Sequence, residues 1–243
     1  MIILKTLALR MTKAVFFDWF NTLARYEPPR YRLHTQACQE IGIDVSPEAM
    51  MRSVPVADKY FFEENSRSPV DRREPEERAR VYYRYQEKLL TGAGVKVTRE
   101  QLLQIMNRVQ QLFKGVTFVL FDDVLVTMKA LRERELIMGL LTNAGKDLVS
   151  VYAELGLEPY LDFVVTSEEA GEDKPKPAIF LLALQRAGVS AQEAIHVGDQ
   201  YVIDIVGARG VGIKPVLIDR YDIYPDVADC PRIHSLTRVT DNL

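Results

Sequence analysis

The stretch Ala14-Val15-Phe16-Phe17-Asp18-Trp19-Phe20-Asn21-Thr22 decides the fold. Its four leading apolar residues are mostly β-branched or aromatic, and they end at a carboxylate. Such a run reads as a short strand buried on both faces, with Asp18 at its C-terminal end. The same punctuation returns along the chain. Leu136–Leu141 ends at Thr142-Asn143, and Phe163–Val165 ends at Thr166-Ser167. Ala194–Val197 ends at Gly198-Asp199, and Ile213–Ile218 ends at Asp219. Helical stretches near Val124–Glu135, Lys146–Leu155, Ala178–Ala187 and Val202–Arg209 separate these runs. Strands alternating with helices of this length predict βαβ units and a parallel sheet.

The stretch from Tyr26 to Lys114 breaks that rhythm. It holds no convincing strand and far exceeds the roughly 2–6 residues of an ordinary βα connection. It does show helical spacing. Leu102, Met106, Val109 and Phe113 recur on one face, as do Met50, Val54, Ala57 and Phe61. Pro55 should bend the latter helix. Ala79, Tyr82, Gln86 and Leu89 mark another, and Glu63–Glu77, with Pro69 and Pro75, reads as an exposed loop. The expected organisation is α/β: a doubly wound parallel sheet core (residues 12–24 and 115–243) with an inserted α-helical cap domain (25–114). Residues 1–11 are expected to be an N-terminal extension.

Composition narrows the function classes. Hydrophobic residues make up 47% of the 243 and charged residues 27%, enough to bury a core. The net charge of −3, with no basic stripe interleaved with aromatics, argues against a nucleic-acid partner. No apolar run approaches the roughly 18–20 residues of a membrane span. Two cysteines, Cys38 and Cys230, make no disulfide framework, which fits a reducing, cytoplasmic setting. His34, His196 and His234 show no metal-ligand spacing, and His196 inside a strand reads as a core histidine. Monomer and homodimer both remain open.

The polar residues at the strand ends carry the chemistry. In open α/β sheets, ligands bind beyond the carboxyl ends of the strands. Asp18, Thr142, Asn143, Lys174, Asp199 and Asp204 all fall there or a few residues on. Asp18 and Asp199 offer oxygen ligands to a hard cation such as Mg²⁺. Lys174 offers fixed positive charge to phosphoryl oxygens, and Thr142 offers a hydroxyl donor. A carboxylate nucleophile in that setting can attack phosphorus.

In order, Asp18-Trp-Phe-Asn-Thr22-Leu23, Leu140-Leu-Thr142-Asn143, Lys174-Pro-Lys-Pro177 and Gly198-Asp199-x₄-Asp204 resemble the four motifs of the haloacid dehalogenase superfamily. The resemblance runs from about Lys13 onward, and Thr166–Gly171 looks like the capped phosphatase-and-dehalogenase branch. It implies a Rossmann-like core with a helical C1-type cap and a small phosphorylated metabolite as substrate. It implies Asp18 as nucleophile and, with the Phe20 backbone carbonyl and Asp199, as ligand to Mg²⁺. It implies that Thr142, Asn143 and Lys174 bind the substrate, that Asp204 supports from behind, and that Thr22 builds the turn after the nucleophile.

One position departs from the pattern. Typical phosphatases of this family carry an Asp two residues after the nucleophile, which protonates the leaving group. Here that residue is Phe20. The departure leaves several readings open: a phosphatase lacking that acid, a 2-haloacid dehalogenase, a phosphonate hydrolase using a cap lysine such as Lys59, or a weakly active phosphate-binding module. Asp199 argues against the dehalogenases, whose fourth motif is uncharged there. The surroundings of Lys59 do not match the phosphonate-cleaving pattern. Arg25, Tyr26, Arg30 and Tyr31, just after the first motif, are candidates to meet an anionic leaving group.

Overall fold

The structure, a computed structural model, describes residues 11–144 and 148–243. The extension expected at the N-terminus therefore lies almost wholly outside the described residues. In chain order the first elements are β1 (Ala14–Phe17), β2 (Ala24–Glu27), α1 (Arg30–Glu40), α2 (Pro47–Arg67), α3 (Pro75–Gly92), α4 (Arg99–Leu112) and β3 (Thr117–Leu120). There follow α5 (Val124–Arg132), β4 (Ile137–Thr142), α6 (Leu148–Glu154), β5 (Phe163–Thr166), α7 (Ser167–Ala170) and α8 (Pro177–Ala187). Last come β6 (Ala194–Gly198), α9 (Gly207–Gly210), β7 (Lys214–Ile218) and β8 (Arg232–Ile233).

All four residues of β1 are fully buried, and β1 lies inside a six-stranded sheet of order β5-β4-β1-β6-β7-β8. Every pairing in it is parallel, with Phe17 opposite Leu140 on one side and Val197 on the other. The chain builds outward from β1 through β4 to β5, then reverses through β6 to β7. The reversal makes the β1/β6 boundary the topological switch point, where such sheets leave a crevice. Asp18 and Asp199 follow those two strands.

The continuous apolar runs are explained by cover. Ala14, Phe16, Leu141 and Val165 pack against Ile179, Phe180 and Ala183 of α8, all fully buried. Each such large side chain contributes roughly 1.5–3 kcal/mol. Close packing also fixes a glycine: a Cβ on Gly139 would stand 2.4 Å from the Phe163 ring, which itself lies 5.9 Å from the ring of Phe16.

The chain divides into two compact units. One holds the residues up to Leu23, Asp122–Ile218 and Val227–Leu243; the other holds Ala24–Phe121 and Asp219–Asp226. The second is built from α1–α4 around Ala37, Met50, Ala57, Leu89, Leu102 and Ile105. Among the described residues no helix is long and apolar enough to cross a membrane.

Several local expectations need correction. β2 and β3 form an antiparallel ribbon that the sequence pattern did not reveal. The loop expected over Glu63–Glu77 is much shorter, because α2 continues to Arg67 and α3 begins at Pro75. Arg73 holds the turn by pairing with Glu64 at 2.8 Å and donating to the Ser68 carbonyl at 2.9 Å. The buried face of α3 is Val81, Tyr85, Gln86, Leu89 and Leu90, so of the expected face Gln86 and Leu89 turn inward, whereas Ala79 and Tyr82 are exposed. At the start of α5 the Asp123 carboxylate accepts the Leu236 N–H at 2.7 Å and the Ser235 hydroxyl at 2.8 Å.

Buried His34 in α1 gives the second unit a pH signature. Burial, aided by the charge of Arg30, lowers its pKa to about 3. The unfolded chain binds that proton near pH 6.5 and the folded chain does not, so stability is full above pH 6.5 and falls as pH drops toward 3. The stability lost by pH 5 amounts to about 2 kcal/mol. Urea unfolding followed by circular dichroism should show a shallower loss between pH 6.5 and 4 for His34→Gln than for wild type. Parallel pH profiles would refute it.

Candidate active site

The residues after β1 turn sharply. The Asp18 N–H still donates to the Val197 carbonyl at 2.9 Å, completing the parallel ladder. Leu23 N–H then donates to the Trp19 carbonyl at 2.9 Å, which closes a one-turn loop. Asn21 adopts φ of 58°, a left-handed conformation that asparagine tolerates better than most residues. The turn sets two side chains. Asn21 Nδ2 donates to Asp199 Oδ2 at 3.2 Å, and Thr22 Oγ1 donates to Asp18 Oδ2 at 3.4 Å.

Lys174 is the centre of the site. Its ammonium donates to Asp18 Oδ1 at 2.6 Å and to Asp204 Oδ1 at 2.7 Å, with its side chain only 1% exposed. Its backbone is held as firmly. Asn143 Oδ1 accepts the Lys174 N–H at 2.8 Å, and Asn143 Nδ2 donates to the Lys174 carbonyl at 3.1 Å. Both ends of the Asn143 amide are thus engaged on the main chain of Lys174. Thr142, at the end of β4, is buried, and its Oγ1 accepts the Ala144 N–H at 3.0 Å.

Asp204 stands on a π-helical turn, Tyr201–Val206, directly after Asp199. Its carboxylate is fully buried and its oxygens are engaged. Oδ1 meets Lys174 and His196 Nε2, the latter at 3.0 Å, and Oδ2 accepts the Gln200 N–H at 3.1 Å. Gly198 makes room for it: a Cβ there would stand 2.2 Å from Asp204 Cγ. Asp199 is different. It is buried, and its Oδ1 has no hydrogen-bond partner among the described residues. One oxygen from each of Asp18, Asp199 and Asp204 lies within 4.8 Å of the others.

Burial and charge split these carboxylates. Asp204 is held far below the usual range because Lys174 and His196 outweigh its burial. Asp18 is pushed up to about 6, burial prevailing over the pull of Lys174. Asp199 is pushed well up by burial and by the facing charge of Asp18. Burial also favours neutral His196, so its Nε2–H donates to Asp204. An oxygen of Asp199 kept dry and unbonded is costly unless something positive meets it.

Hydrogen bonds join Asp18, Thr22, Lys174 and Asp204, and Asp199 stands within the same group of carboxylates. The sequence reading treated His196 as core packing and passed over Asn21. A lone polar residue in an all-apolar central strand was the available signal for His196, and an αL-tolerant residue in the nucleophile turn was the signal for Asn21.

A family model described as haloacid dehalogenase-like hydrolase matches residues 12–212. "Haloacid dehalogenase-like hydrolase domain-containing protein 3" of Danio rerio is 39% identical over 116 residues, 48% of each chain. "Ribulose-1,5-bisphosphate 5-phosphatase" of Halopiger xanaduensis is 40% identical over 101 residues, 41% of this chain and 42% of the relative. The chain thus spans about half the length, or less, of the curated relatives it matches. Among solved structures, YfnB of Bacillus subtilis bound to magnesium aligns over 96% of this chain and 99% of its own, with a TM-score of 0.62 at 17% identity. At that identity the likeness is one of fold.

The contact at Gly198 is directly testable. Gly198→Ala forces the added methyl against Asp204, so urea denaturation should show a loss of about 1–3 kcal/mol. A variant as stable as wild type would mean that Asp204 has room to move.

Proposed function

The chain belongs to the haloacid dehalogenase-like hydrolase family, and from that premise we propose that it is a Mg²⁺-dependent phosphatase acting on a small phosphorylated metabolite through a phosphorylated Asp18. The observation that carries the reading is the pairing of Lys174 with both Asp18 and Asp204 beside an Asp199 oxygen that no hydrogen bond from the described residues satisfies. A hydrolase needing only a carboxylate nucleophile has no use for a second, unbonded buried carboxylate.

The donor set fits a hard divalent cation, which takes carboxylate and carbonyl oxygens. Asp18 and Asp199, with the backbone carbonyl of Phe20, would hold it, and Asp204 would act from behind because its oxygens are already bonded. Bound there, Mg²⁺ supplies positive charge that screens the carboxylates from an incoming phosphoryl group. Lys174 adds fixed charge and keeps Asp18 oriented. Thr142, whose local bond uses only a lone pair, would donate its O–H to a phosphoryl oxygen.

Asp18 then attacks phosphorus in line. The new bond is carboxylate oxygen to phosphorus, and the bond that breaks is phosphorus to the leaving oxygen, which departs with its electron pair. Phe20 offers no proton, so water protonates that oxygen. A second water attacks the acyl phosphate, giving inorganic phosphate and the Asp18 carboxylate and releasing a proton. Leaving groups that need little protonation, such as aryl or acyl phosphates, should therefore react fastest. Supporting the phosphatase reading, a relative similar over part of the chain is named a phosphatase.

Steady-state hydrolysis of an aryl, an acyl and an alkyl phosphate, with and without Mg²⁺, tests the reading. Activity should require Mg²⁺, be slowest on the alkyl phosphate, and drop by at least roughly 10⁴-fold in Asp18→Asn. Asp18→Asn turning over as fast as wild type would end the nucleophile assignment. Metal-independent halide release from a 2-haloacid would favour the dehalogenase reading instead. Phe20→Asp should raise alkyl phosphate hydrolysis, toward the roughly 10²–10⁴-fold that a general acid supplies.

A further inference from the structure

His196 is a polar residue inside the apolar strand β6. It is fully buried, opposite Phe16 of β1 on one side and Pro215 of β7 on the other. The Phe180 ring stands nearly perpendicular to it, at 87° with centroids 5.2 Å apart. Its Nε2 lies 3.0 Å from Asp204 Oδ1. An ionised carboxylate only accepts, so the ring proton is on Nε2 and Nδ1 is left an acceptor. Nδ1 has no hydrogen-bond partner among the described residues. A leucine would fill this place without stranding a nitrogen. What the histidine adds is the Nε2–H.

That N–H lands on an oxygen already in use. Asp204 Oδ1 takes it together with the Lys174 ammonium, and Oδ2 takes the Gln200 N–H at 3.1 Å. Three donors on two oxygens fix how the carboxylate is turned. Without His196, the Gln200 N–H would be the one contact besides Lys174 itself to hold that turn. The turn of Asp204 matters through Lys174. An ammonium has three N–H donors. One goes to Asp18 Oδ1 at 2.6 Å and one to Asp204 Oδ1 at 2.7 Å. In a tetrahedral ammonium those two bonds set the direction of the third, which has no acceptor among the described residues.

We propose that His196 is a positioning residue: it fixes the Asp204 carboxylate and, through it, aims the third N–H of Lys174 at the phosphoryl group. What that N–H meets rests on the phosphatase reading; the ordering of the ammonium by His196 does not. His196 itself touches neither substrate nor metal. Its loss should therefore leave a phosphate ester bound about as well and slow its reaction, because an aimed donor counts most in the transition state.

Two replacements separate the N–H from the space it fills. His196→Leu removes the donor, and His196→Gln keeps a side-chain N–H at a similar reach. His196→Met is a second donor-free variant should the leucine chain fail to fold. Nitrogen NMR relaxation of the Lys174 ammonium, in the full chain without substrate, reads how freely it turns about Cε–Nζ. Rotation should quicken about tenfold in the donor-free variants, the worth of one hydrogen bond, and stay near wild type in His196→Gln. On p-nitrophenyl phosphate in Mg²⁺, kcat should fall about tenfold in the donor-free variants with KM within about twofold, and His196→Gln should recover most of it. Equal rotation in all variants overturns the positioning role. So does a loss of rate that His196→Gln does not recover, or one carried wholly by KM. If wild type hydrolyses no phosphate ester while rotation still separates the variants, the phosphatase reading fails and the ordering by His196 stands.

Discussion

A buried ammonium between two carboxylates organises this molecule. Lys174 is 3% exposed, and a lysine removed from water to that degree would ordinarily shed its proton. The charges of Asp18 and Asp204 outweigh the burial and hold its pKa above the usual lysine value. Each partner comes from a different strand end, so the triad binds β1, the segment after β5 and the turn after β6 into one arrangement. Removing any one member would leave a buried charge without its counterpart, which costs far more than the bond itself is worth.

The sheet was legible because its signal is local. Short apolar runs ending in Asp, Thr-Asn or Gly-Asp can hardly be anything but covered parallel strands, and each one appears where it was expected, within a residue or so. The site residues were legible for the same reason: they sit at the ends of those runs. The unread parts depend on contacts far apart in sequence. β2 and β3 are only four residues each and pair across the whole helical insertion, so neither carries a pattern of its own. The segment Asp219–Asp226 joins the second unit through Phe121 and Tyr221, a contact that no periodicity announces. The face of α3 was partly misjudged because Tyr82 is amphipathic, and spacing alone does not say which neighbour turns inward.

Buried polar side chains gather differently in the two units. In the first they converge on the carboxylates, with Asp199 Oδ1, His196 Nδ1 and Gln200 Oε1 without hydrogen-bond partners among the described residues. In the second, Arg30, Asp58 and Tyr85 form a network inside an otherwise apolar bundle, while His34 Nδ1, Thr35 Oγ1 and Gln86 Nε2 lack partners among the described residues.

Asn143 holds Lys174 by its peptide group, through one accepted and one donated bond, and never touches the ammonium. The grip is therefore blind to what the residue at position 174 carries. Main chain and side chain are held by separate contacts: Asn143 fixes where the loop runs, and Asp18 and Asp204 fix where its charge goes. A fold that addresses its reactive groups through the main chain can vary its chemistry one side chain at a time.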